Sequence, residues 1–254
     1  MLLGAETATY YLVVNNKDKI MSNASLRKAV SLAINRDAIC QTIFEGTREA
    51  ADNIVPPPIA GYQKGVWTNA KYDVAAAQAA LKAAGYPAGK GLPPIKLSFN
   101  TGGGHEKIMQ LIQADLKRIG ITTTFDSADF PTYLKQLEAG NYQIGRLGWI
   151  ADYPIMDNFI YPLFNSKSVD NYSKFTNPSV DSAINAARAM TDGAARIAAY
   201  QAVNNTVQAV NPNIPLMFYK HKHIGSARVN ELVYDAQGIP HFEKTWLTGG
   251  GAAK

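Results

Sequence analysis

The side chains best suited to recognition chemistry fall in one stretch, GRLGWIADYPIMDNF, from Gly145 to Phe159. Arg146, Trp149 and Asp152 lie within seven residues of one another there. A guanidinium offers a planar fork of donors to a carboxylate, a carboxylate accepts from a cation, and an indole provides a flat apolar wall. A core strand has no use for such a set, because charged side chains are rarely buried without partners. The plain alternative makes Arg146 and Asp152 a surface ion pair and Trp149 a core residue. An exposed pair adds little stability, which does not explain the placement. The stretch reads as a recognition element.

Other candidates carry less. Asp152 and Asp157 resemble a paired acid and base, but hydrolysis also needs a positioned nucleophile or an activated water. No nucleophile elbow, HExxH or Ser/His/Asp signature accompanies them. NTGGGHEK, residues 100–107, places glycines where phosphate-binding loops occur. Lys107 is not followed by Ser or Thr, and the dinucleotide spacing is absent, so the segment reads as a strand-to-helix turn. His221 and His223 share one face if KHKH is a strand, but no third ligand stands nearby at metal-site spacing. Cys40, the single cysteine, excludes an internal disulfide and reads as a small buried hydrophobe beside Ile39 and Ile43. No metal or cofactor is expected.

The 254 residues are 46% hydrophobic and 18% charged, an ordinary globular composition. The net charge of +5 is scattered rather than gathered in a stripe, which argues against a nucleic-acid partner. No apolar run is long enough to span a bilayer, and MLLGAETATYY lacks the basic start and apolar length of a signal peptide.

The elements that must position these residues follow an α/β pattern. ATYYLVVNN, residues 8–16, reads as a strand. A helix begins near Asn23 or Ser25, and a second runs from Asn35 to a stop at Gly46. Pro56 to Pro58 impose an extended loop. Asp73 caps an alanine-rich helix that ends at Gly85 and is expected to lie over the outside of a sheet. IKLSFN, the helix with Ile108, Leu111, Ile112 and Ile119 on one stripe, ITTTFDSA, PTYLKQLEAG and YQIGRLGW then give β-α-β-α-β. Such a run favours parallel strands in an open sheet, with ligands bound beyond the carboxyl ends of the strands. Arg146 to Asp152 occupies such an end. Two helices over PSVDSAINAARAMTD and GAARIAAYQAVNNTVQAV, a strand over IPLMFYKHKHIGSA and an irregular segment follow.

Several blocks together resemble one family. TYYLVVNN with SLRKAVSLAINRDAI is similar to the strand and R-K-A-x-x-x-A-I-x-R helix of extracellular solute-binding proteins of family 5, the peptide-binding components of ABC transporters. GRLGWIADYPIMDNF resembles their R-x-G-W-x-A-D-Y-x-x-P region, although here Pro154 follows Tyr153 directly and Asp157 comes later. NYSKFTNPSVDSAINAA and VNPNIPLMFYKHKHI resemble two later blocks. The resemblance covers roughly residues 8–247. It implies a type II periplasmic-binding-protein-like lobe, a mixed sheet flanked by helices, with 1–7 as a leader and 8–220 as a C-terminal ligand-binding lobe. By the same resemblance 221–247 returns to an N-terminal lobe; TGGGAAK, 248–254, reads from its composition as a flexible tail.

The function implied is capture of a short peptide or other small solute outside the cytoplasm, for delivery to membrane permease subunits, without bond chemistry. An α/β hydrolase or transferase, or a sensory module on the same lobe, are the alternatives. By resemblance Asp152 accepts the ligand's α-ammonium group, Arg146 its carboxylate, and Trp149 packs on its side chains. Ala151 and Tyr153 belong to the same motif, and Tyr11, Asn15, Phe218 and Tyr219 come from the flanking blocks.

Overall fold

The computed structural model describes residues 2–249. Its centre is β1 (Leu2–Val14), whose run of aromatic and β-branched residues favours a pleated, two-sided burial. The strand lies between β5 (Ile144–Ile150) and β6 (Asn213–His223), antiparallel to both. β3 (Ile95–Asn100) is parallel to β4 (Thr123–Ala128) and to β5, and β2 (Glu49–Ala50) adds a short antiparallel edge beside β6. The six-stranded sheet has the order β2-β6-β1-β5-β3-β4. The three strands expected to be parallel are parallel, and their carboxyl ends share one edge.

Strand alternation divides the core between the two faces. Tyr10, Leu12 and Val14 join Leu97 and Ile144 under α1 (Ala24–Ala33), α2 (Arg36–Phe44) and α4 (Glu106–Arg118). Tyr11, Val13 and Leu147 face α5 (Phe130–Ala139), α6 (Asp157–Phe164), α7 (Pro178–Arg188) and α8 (Ala194–Gln208). Asn23 caps α1, accepting from the Ser25 and Leu26 N–H groups, and Asn35 caps α2, accepting from that of Ala38, as the sequence predicts.

Three expectations need correction. The alanine-rich α3 (Val74–Ala83), capped by Asp73, packs on α1 rather than directly on the sheet. Ala77 and Ala80 let two helix backbones approach closely, which a larger residue would prevent. Residues 2–7 are part of β1, not a leader, because Leu2 to Ala5 pair with Lys220 to His223. For the same reason β6 runs unbroken through position 220. Beyond β6 the chain forms two small ladders, β7 (Val229–Asn230) with β10 (Trp246–Leu247) and β8 (Val233–Tyr234) with β9 (Pro240–His241). Of the expected tail, Thr248 is tied to Arg228 by backbone and side-chain hydrogen bonds; residues 250–254 lie outside the described residues.

Two arginines of the R-K-A-x-x-x-A-I-x-R segment are structural. Arg27, 5% exposed, donates to the carbonyls of Met21, Ser22, Val210 and Asn211. Arg36, 3% exposed, donates to those of Ser31, Ile34 and Pro215 and to the Ser31 hydroxyl. Burial pushes the Arg36 guanidinium down to about 9, still charged at neutral pH. Each ties the first helices to the segment entering β6, satisfying carbonyls that would otherwise be buried without donors.

Candidate binding site at the carboxyl edge of the sheet

On the α1–α4 face, the carboxyl end of β3 meets the strand that carries Arg146. The Arg146 guanidinium donates through Nη1 to Asn100 Oδ1 at 3.0 Å and lies 4.9 Å from the centroid of the Tyr10 ring. It also stands beside the Tyr10 and Tyr219 hydroxyls, whose rings are 6.3 Å apart. A side chain at 148 would meet the Tyr219 hydroxyl at 3.0 Å, so Gly148 makes the room that lets this tyrosine reach the cluster. Arg48 covers the other side of Tyr219, 4.6 Å from its ring centroid.

The glycine-rich turn after β3 delivers the remaining member. Gly102 and Gly104 take left-handed conformations, and a Cβ at Gly103 would lie 2.2 Å from His105 Nε2. The backbone can therefore fold under the imidazole. His105 is 8% exposed and its Nδ1 is 3.2 Å from the Tyr10 hydroxyl. Burial, and then the positive charge of Arg146, pushes His105 down to about 4. It is neutral at physiological pH.

No carboxylate among the described residues pairs with Arg146, and its Nε is buried without a hydrogen-bond partner. A half-buried cation surrounded by hydroxyls, an amide and a neutral imidazole favours an anion.

Trp149 points the other way. Arg146 pairs with Leu12 across β1 and Trp149 with Thr9, so their side chains leave opposite faces of the sheet. Trp149 is half-buried and donates through Nε1 to Asn158 Oδ1 at 3.3 Å. β5 ends just beyond it, and the Ala151 N–H still reaches Thr7 O at 2.9 Å. Asp152 is the first residue past the sheet and is exposed. Its N–H donates to Asn158 Oδ1 at 3.0 Å and its carbonyl accepts from Gln237 at 3.0 Å. Its carboxylate has no partner among the described residues, so the ion pair of the plain alternative does not form. Burial, and secondarily the Asp152 charge, raises the Asp170 carboxyl above its ordinary value.

The rest of the loop is anchored. Asp157, 4% exposed, accepts from the Tyr200 hydroxyl at 2.7 Å and the Tyr153 hydroxyl at 3.2 Å, and lies 3.4 Å from Arg188 Nε. It holds the start of α6 in place and is not half of an acid–base pair with Asp152.

Arg146, Tyr219, Trp149, Asp152 and the exposed Tyr153 thus gather along one edge, on both faces of β5. Ala151 contributes backbone only, its side chain being 3% exposed. Three expected contacts lie elsewhere. Tyr11 is 2% exposed within the core under α5–α8. Asn15 stands at the other end of β1, donating to Gly140 O and Tyr142 O. Phe218 is 3% exposed, edge-on to Tyr62. Each is consumed by packing or by backbone hydrogen bonds. His105, Asn100, Tyr10 and Asn158 were not singled out by the sequence. The position of NTGGGHEK between strand and helix at a carboxyl end was the signal available for His105. His221 and His223 lie 5.3 Å apart, with no third ligating residue grouped with them among the described residues.

The model of the bacterial extracellular solute-binding proteins, family 5, matches residues 2–171. The chain belongs to this family. It is 25% identical over 94% of its length to the oligopeptide-binding protein OppA of Bacillus subtilis, and 28% identical over 92% to the dipeptide-binding protein of Escherichia coli. It spans just under half of those two relatives, 45% and 44%.

Among solved structures, HbpA2 from Haemophilus parasuis superposes with a TM-score of 0.87 at 23% identity, over 97% of this chain and 49% of that one. DppA from Helicobacter pylori, in complex with the peptide STSA, gives 0.79 at 27% identity, over 97% and 48%. The family 5 chain therefore has the type II periplasmic-binding-protein-like fold that the resemblance implied. No helix among its described residues is long and apolar enough to cross a membrane.

Proposed function

We propose that this family 5 chain is the ligand-binding lobe of the solute-capture component of an ABC importer, taking short peptides. The observation that carries the reading is a pair of unsatisfied opposite charges at one sheet edge. Arg146 has no anionic partner, and the Asp152 carboxylate has no cationic one, among the described residues. A peptide with free ends brings one of each. About six residues of chain separate them, at most roughly 20 Å when extended, a span for a di- to pentapeptide. Because Arg146 and Trp149 leave opposite faces of β5, a ligand that meets both crosses the edge of the sheet rather than lying along one wall. The ammonium group meets Asp152 beside Trp149, and the carboxylate meets Arg146 near His105.

The edge is open to solvent on this lobe, and a second lobe of the same protein closes over it. Ile224, Val233, Phe242 and Trp246, all at least half exposed, are the apolar side chains of the last segment that such a lobe would cover. The protein works outside the cytoplasm, periplasmic or lipid-anchored, and passes its ligand to permease subunits without chemical change. Mass spectrometry of ligand co-purified with the full-length protein tests the reading, with short peptides expected. Incubation with peptide, ester and phosphoester substrates should show no turnover, and turnover of any would replace capture with catalysis.

A further inference from the structure

One buried side chain joins the two recognition residues that the carboxyl edge presents on the α5–α8 face. Asn158 is 3% exposed, in the first turn of α6. Its Oδ1 accepts from both Trp149 Nε1, at 3.3 Å, and the Asp152 N–H, at 3.0 Å. Two donors converge on one atom, which fixes it as the carboxamide oxygen, since the nitrogen could accept from neither. The backbone on either side is held independently. The Ala151 N–H is bonded to Thr7 O, the Asp152 carbonyl to Gln237, and the next α6 residue toward the N-terminus, Asp157, to Tyr200 and Tyr153. Every polar backbone group of Asp152 is thus occupied while its carboxylate is left unpaired.

We infer that Asn158 is a positioning residue for ligand capture. Its single oxygen sets the indole wall and the carboxylate in one fixed relation, so that an ammonium group and its adjoining side chain meet a site formed in advance. This rests on the peptide reading above. Without the acceptor, the Asp152 N–H turns to solvent, the first turn past β5 loosens, and the indole is free to rotate. Asn158 touches neither end of the ligand in this arrangement and acts through the two residues that do.

Hydrogen exchange in the 15N-labelled chain tests the positioning without a ligand. In the native chain the Trp149 indole N–H and the Asp152 amide should both be protected. In Asn158→Leu both should exchange at least about tenfold faster together, the loss expected for one acceptor serving two donors. Asn158→Asp keeps an oxygen at that place and should restore both. The amides of β3 serve as the check that the sheet is intact, and the Asn158→Asp variant keeps the test decisive if Asn158→Leu does not fold. Loss of only one N–H, or of neither, or failure of Asn158→Asp to protect both, overturns the inference.

Titration of the protein carrying the proposed second lobe with a free-amine tripeptide and its N-acetylated form then separates this idea from the function it serves. Asn158→Leu should weaken the free-amine peptide about tenfold and the acetylated one much less; equal weakening overturns the inference. Protected N–H groups in a native protein that carries the proposed second lobe and still binds no peptide would retire the peptide reading and leave the positioning intact.

Discussion

Asp152 and Arg146 are the residues on which the peptide reading depends, and their variants separate it from a structural role. On the peptide reading, and in a protein carrying the proposed second lobe, Asp152→Asn should weaken peptides with a free amino terminus by about 2–3 kcal/mol, because the ammonium loses its anionic partner. The N-acetylated peptide should lose much less. Arg146→Ala should hurt free-acid peptides of one length more than their amides, since a fixed guanidinium meets a carboxylate only at the right span. Calorimetry with matched peptide pairs measures both, and equal losses for free and blocked peptides would make these residues structural.

His105 adds a pH dependence of definite sign. Its folded value of about 4 lies below the ordinary 6.5, so the unfolded chain takes up the proton first. Its contribution to stability is complete above 6.5 and is lost as pH falls toward 4. A ligand carboxylate placed beside it raises its value. Free-acid peptides should then bind with proton uptake and more tightly as pH falls through that window, while His105→Gln should flatten the profile. A profile that is the same in both proteins would remove His105 from the carboxylate subsite.

At the scale of elements, the edge exists because strands and helices are tied together from behind. Arg36 joins the α1–α2 corner to β6 through Pro215 O, and Ser31 and Ile34 complete its set of acceptors. Arg36→Met should cost about 3 kcal/mol in urea denaturation, because buried carbonyls lose a charged donor. Arg36→Lys should recover little, since an ammonium on a single stem cannot span Pro215 O and the Ser31 groups as the planar fork does. Full recovery by lysine would show that charge alone matters there. The glycine-rich turn acts locally in the same way, folding tightly enough to set His105 against Tyr10.

The whole chain builds its own core while spanning just under half of the relatives it matches. Its sheet is covered on both faces, with apolar clusters beneath α1–α4 and α5–α8, and it needs no partner to bury them. The isolated chain is therefore expected to unfold cooperatively. On the peptide reading its carboxyl edge is open, however, so Asp152 and Arg146 would compete with water for the ligand's charges. Calorimetry against a peptide library should find only weak binding to the isolated chain. Sub-micromolar affinity would show that one lobe suffices.

The sequence by itself determined the local elements and the identity of the charged pair. Asn23, Asn35 and Asp73 announce three helix starts because a short polar side chain satisfies N–H groups only a few residues away. The β-α-β-α-β run implies parallel strands because crossovers leave little choice of topology. Family blocks carry the rest of that reading. Tertiary structure alone decided which face each residue serves. Strand side chains alternate with period two, so Arg146 and Trp149, three apart, leave opposite sides of β5, while Tyr11 and Phe218 turn inward. It also brought Tyr10, Asn100, His105 and Tyr219 to Arg146 from three strands and a turn. No local spacing encodes that meeting, because it depends on β1 entering between β5 and β6 and on the register in which it pairs.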